Sequence, residues 1–142
     1  MPDESIDELA TGLNSVAIHL VRRARRADLA LGVTPARLSA LSVLVFGGPR
    51  TMQELADAEQ VAGPTMSKLV AALVADRLVR RDPDASDRRA VRLSATAAGK
   101  RLMERGRRAR VELLAAELRA LPAADRRTVA AAVRILRSLE AP

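Results

Sequence analysis

The chain has 142 residues and a mass of 15.2 kDa, with 49% hydrophobic and 29% charged residues, the composition of one globular domain able to bury a core. Its longest uncharged stretch, Leu9–Val21, falls short of the roughly 20 residues a bilayer span requires, and the acidic Met1–Glu8 is unlike a signal peptide, so a cytoplasmic protein without a membrane partner is expected. With no Cys and a single His, disulfides, thiol redox chemistry and cysteine-ligated zinc are excluded, and no metal or cofactor site is expected.

The net charge of +7 is unevenly placed. Residues 1–76 carry seven basic and nine acidic side chains, whereas residues 77–110 carry twelve basic and four acidic ones. A basic stretch within a folded chain is the electrostatic footprint of a polyanion binder. Because 22 of the 24 basic residues are Arg, compositional bias accounts for part of the excess, and position has to carry the argument.

Ser5-Ile6-Asp7-Glu8 forms a capping box that opens a long helix with Leu9, Leu13, Val16 and Leu20 along one side, ending near Gly32. His19 lies in that apolar run and reads as a packing or hydrogen-bonded residue rather than a ligand. Thr34 and Pro35 start a second helix bearing Leu38, Leu41, Leu44 and Val45, which Gly47-Gly48-Pro49 stops. A second capping box, Thr51–Glu54, opens a short helix to about Ala58. After a turn, Gly63-Pro64 begins a helix whose apolar face is Met66, Leu69, Val70, Leu73 and Val74. Thr65, Lys68, Ala71 and Ala72 lie opposite that face, with Ser67 alongside.

The period then changes from helix to strand. Leu78–Arg81 and Ala90–Ala95 read as two short strands around the turn-rich Asp82–Asp87, with Val91, Leu93 and Ala95 on one face of the second strand and Arg92 and Ser94 on the other. Thr96 caps a helix running to about Ala120, and Pro122 begins a last one carrying Val129, Val133, Leu136 and Leu139. The predicted fold is mainly α with a small β-hairpin wing. It consists of a winged helix-turn-helix lobe plus N- and C-terminal helices, in which Thr51–Ala58 precedes a recognition helix at Pro64–Asp76.

That arrangement suits double-stranded DNA, because a helix fits the major groove and arginines at a hairpin tip suit the negative potential of a narrow minor groove. An enzyme is not expected. There is no Gly-rich phosphate loop or nucleophile elbow, and Asp82, Asp84 and Asp87 sit among arginines that keep them ionised. The rival is a helical interaction protein that keeps a winged-helix fold without binding DNA.

Over essentially its whole length the chain resembles the MarR (multiple antibiotic resistance regulator) family of bacterial transcription factors. The resemblance rests on Leu55-Ala56, on Pro64-Thr65-Met66-Ser67-Lys68-Leu69-Val70, on Leu78-Val79-Arg80-Arg81, and above all on Asp87-Arg88-Arg89-Ala90-Val91 followed by Thr96-Ala97-Ala98-Gly99. It implies one domain over residues 1–142, with the winged lobe at about 34–99 and dimerisation helices at about 5–31 and 100–140. It also implies a homodimer acting as a repressor on a pseudo-palindromic operator. The DNA-binding residues would be Pro64, Thr65, Ser67, Lys68, Asp87, Arg88 and Arg89, with Arg89 in the minor groove and Asp87 holding it in position. Release of DNA by a small-molecule effector, often phenolic, is a further implication. Phe46 is the one aromatic residue, so an effector site here would be aliphatic with arginine or hydroxyl anchors. Two positions depart from the family pattern. Arg77 replaces a usual Gly, which allows the turn before the wing to differ, and Ala95 replaces a Leu that packs wing against helix.

Overall fold

A computed structural model describes residues 5–139; the first four residues of the acidic opening and the expected end of the last helix at 140 lie outside the described residues. Packing divides the chain into two units, one ending at Arg107 and the other beginning at Arg108.

In the first unit, α1 (Ile6–Asp28) starts at the expected capping box: the Ser5 hydroxyl accepts from the Glu8 amide at 3.2 Å, and the Glu8 carboxylate accepts from the Ser5 amide at 3.0 Å. These hydrogen bonds hold Glu8 below the ordinary carboxylate range. A short 3-10 turn, Leu29–Leu31, closes at Gly32 in the left-handed region. Thr34 caps α2 (Pro35–Gly47), and the Thr51–Glu54 box caps α3 (Met52–Glu59). α4 (Gly63–Ala75), β2 (Val79–Pro83), β3 (Val91–Ala95) and α5 (Ala97–Ala120) follow, the last continuing into the second unit.

The expected two-stranded hairpin has a third member. Two residues before α3, Arg50–Thr51 (β1), pair antiparallel with Leu93 and Arg92, giving the strand order β1-β3-β2. A strand of two residues has no period to read, which is why sequence patterning passes over it. β2 begins one residue later than expected because Leu78 completes the cap of α4, its amide bonding the Leu73 carbonyl at 2.9 Å.

One core joins these elements. Leu38, Leu41 and Leu44 of α2 meet Leu55 of α3, Met66, Val70 and Leu73 of α4, Val79 and Leu93 of the sheet, and Leu102 and Met103 of α5. The sheet outruns this core: Leu93 is fully buried, but Val91, expected on the same inward face, is 47% exposed. His19 is exposed on α1. No residue of α1 is buried.

In the second unit, the rest of α5 and α6 (Ala123–Leu139) are amphipathic yet open. Val111, Leu113, Leu114 and Leu118 are exposed, and α6 buries no residue. The Arg126 guanidinium donates to the Leu121 carbonyl at 2.6 Å, and Arg119 pairs with Glu112 at 2.7 Å. Among the described residues, no single helix is long and apolar enough to cross a membrane, and no cluster of three His, Asp or Glu side chains is placed to hold a metal ion.

Candidate nucleic-acid interface

The turn between α3 and α4 is built by a non-glycine residue in the left-handed region. Gln60 (φ 55°) donates to the Asp57 carbonyl, and the Val61 amide reaches back to the Ala56 carbonyl at 3.0 Å. This six-to-one closure ends α3 sharply and tucks Val61 against the core. Ala62 then leads into α4 with no side-chain cap, so the first amides of α4 have no side-chain acceptor of their own at the cap.

α4 is divided lengthwise. Met66, Val70 and Leu73 are completely buried, and the helix turns Pro64, Thr65, Ser67, Lys68 and Ala71 outward. All four of the α4 residues singled out from sequence therefore lie together on one exposed surface. Their placement follows from helical spacing: once Met66, Val70 and Leu73 point inward, positions 65, 67 and 68 have nowhere to go but solvent.

Arg77 adopts φ 59°, so the turn retains the left-handed geometry despite lacking Gly. Its amide donates to the Val74 carbonyl at 2.9 Å, and its carbonyl accepts from the Thr96 hydroxyl at 2.7 Å. The same Thr96 hydroxyl accepts from the Gly99 amide at 3.1 Å, capping α5. Gly99 is required here by close approach, because a Cβ would collide with the Leu78 carbonyl oxygen. The Thr-x-x-Gly pattern thus locks the start of α5 to the end of the recognition helix.

Beyond β2 and β3 the wing loop is organised by two carboxylates. Asp84 accepts from the Ser86 amide at 2.9 Å, the Ser86 hydroxyl at 2.8 Å and Arg92 Nε at 3.2 Å. These partners, the Ser86 amide first, hold Asp84 below its ordinary pKa. Arg92 also donates to the Pro49 carbonyl at 3.0 Å, tying the wing to the segment before β1. Asp87 Oδ1 accepts from the main-chain amide of Arg89 at 3.0 Å, and its carbonyl accepts from the Ala90 amide at 3.0 Å. The support that Asp87 gives Arg89 in this structure therefore runs through the backbone of the loop. Arg88 and Arg89 are both exposed on it.

Sequence reasoning missed Arg92 as an organiser of the wing. The signal was its place opposite Leu93 on the strand, but its partners, Asp84 and Pro49, are 8 and 43 residues away.

Comparison with known proteins agrees with this architecture. The sequence profile of the MarR family matches residues 31–90. The HTH-type transcriptional regulator MT0903.1 of Mycobacterium tuberculosis is 32% identical over 136 residues, 96% of this chain and 95% of that protein. The transcriptional regulator Tm0710 of Thermotoga maritima superposes with a TM-score of 0.85 at 26% identity, covering 94% of each chain. The Staphylococcus aureus MepR–DNA complex shares the fold at a TM-score of 0.63 and 23% identity, over 89% of this chain and 97% of that one. With this lobe, this wing and these relatives, the chain belongs to the MarR family of HTH-type transcriptional regulators.

Proposed function

We propose that this regulator is a cytoplasmic, homodimeric repressor that binds a pseudo-palindromic double-stranded DNA operator. One observation carries the reading: α4 exposes Thr65, Ser67 and Lys68 in the same lobe as the Arg88–Arg89 loop, while its opposite face is sealed in the core. The recognition helix enters the major groove from its Pro64 end, where side-chain donors meet distinguishable base edges. Arg89, with Arg88 beside it, enters the adjacent minor groove, and Asp87 holds the loop that presents them. That a member of the same fold has been crystallised on DNA supports this docking.

Dimerisation uses the apolar rows on the two helices that bury no residue: Leu9, Leu13, Val16 and Leu20 on α1, and Val129, Val133, Leu136 and Leu139 on α6. Rows of this kind on helices without a buried residue suit a two-fold interface with a second copy. Release from the operator follows binding of a small-molecule effector in an aliphatic site, since Phe46, the one aromatic residue, is exposed and apart from the core cluster.

Selection of bound fragments from genomic DNA at physiological salt tests the reading. Retention of a small set of fragments sharing an inverted repeat is expected. A chain that folds but retains no fragment is the helical interaction protein instead.

A further inference from the structure

The two faces of the wing sheet differ in how their arginines are spent. Alternation along β2 puts Val79 and Arg81 on one face and Arg80 and Asp82 on the other. The register pairs Arg81 with Leu93, and Asp82 with Arg92, so the inner face is Val79, Arg81, Leu93 and Val91. Val79 and Leu93 pack this face against the helices. On the outer face every arginine has a carboxylate: Arg80 pairs with Asp82 at 2.7 Å, and Arg92 with Asp84 at 3.2 Å. On the inner face Arg81 is exposed and has no acidic partner among the described residues.

We infer that Arg81 is a further DNA-phosphate contact, one that the family motif residues do not include; the inference rests on the DNA-binding reading above. Arg81 lies midway along β2, between the cap of the recognition helix at Arg77 and the loop bearing Arg88 and Arg89. A duplex that takes α4 in its major groove and the wing tip in the neighbouring minor groove passes a sugar-phosphate strand across that interval. The inner face begins to overhang the core at this register: Leu93, paired with Arg81, is buried, whereas Val91, next along the same face, is 47% exposed. An unpaired guanidinium on this overhang meets the strand, whereas Arg80, one residue earlier, is turned away and neutralised. Phosphate contacts of this kind position the protein without reading sequence.

The test compares Arg81→Gln with Arg80→Gln, which remove the same charge from adjacent positions of the full chain. Affinity for one fragment selected by the wild type is measured from 50 to 200 mM salt, after thermal unfolding has shown that both variants fold. Arg81→Gln is expected to reduce the slope of log K against log salt by about 0.9, one phosphate contact. Its loss should be the same on operator variants differing in base sequence, and Arg81→Lys should restore the slope. Arg80→Gln should leave the slope at the wild-type value. Equal slopes for the two Gln variants, with wild-type binding intact, overturn the assignment of Arg81 alone. A wild-type chain that retains no DNA overturns the DNA reading and this inference together.

Discussion

Gly99 faces the Leu78 carbonyl so closely that an added methyl group has no room. Gly99→Ala should therefore force α5 off the end of the recognition helix and cost about 1–3 kcal/mol, the usual range for overpacking, read as a lower urea midpoint. The opposite outcome is expected at Arg77, whose carbonyl accepts from the Thr96 hydroxyl that caps the same helix. Arg77 holds a left-handed conformation that costs an L-residue roughly 1–2 kcal/mol, and Gly relieves this against about 0.5–1 kcal/mol of added chain entropy. Arg77→Gly should thus stabilise the fold by about 0.5 kcal/mol. Asp87 gives a third test at this scale. Asp87→Asn and Asp87→Ala both remove the charge, but only Asn keeps an acceptor for the Arg89 amide. The Ala variant should bind DNA about three- to tenfold more weakly than the Asn variant, the worth of one net hydrogen bond. Equal affinities for the two would show that the loop hydrogen bond does not present Arg89.

At the scale of elements, the wing depends on Asp84 remaining ionised. Its pKa is lowered from 3.8 by Ser86 and Arg92, so its contribution to wing order is complete above pH 3.8 and is lost as pH falls through the lower, folded value. The Ser86 amide resonance should accordingly titrate with a midpoint below 3.8, and Asp84→Asn should abolish that titration. A midpoint at or above 3.8 would contradict this account. These hydrogen bonds also mark where sequence reading stops. The capping boxes at Ser5 and Thr51, and the buried face of α4, were legible because they are set by residues three or four positions apart. β1 was not, since its two residues are a strand only by virtue of Leu93 and Arg92, some 40 residues on. The family's usual Gly marked the turn at Arg77, but that it stays left-handed was not legible: local preference argues against it, and bonds to Val74 and Thr96 impose it. The likeness of Asp87–Val91 to the family motif located the wing, but how Asp87 acts there, through the Arg89 amide, depends on the fold of the loop.

At the scale of the molecule, α1 and α6 bury nothing, an arrangement costly for a lone chain and ordinary for one protomer of an interlocked pair. Equilibrium sedimentation should show a dimer at micromolar concentration, and the thermal midpoint should rise with protein concentration, as it does when folding and association are linked. Leu13→Glu together with Val133→Glu should yield monomers in which the α2–α5 core survives, because neither residue belongs to that core. The paired recognition helices of such a dimer would address half-sites about one helical turn, ~34 Å, apart. The central claim is that two lobes read one site, and it is tested most directly by titrating the wild-type chain onto a selected operator, first intact and then with one half-site scrambled. Two chains should bind the intact site, and scrambling should weaken binding by about tenfold or more, since each lost base pair costs roughly 1–3 kcal/mol. One chain per site, bound as tightly to the half-site as to the whole, would contradict it.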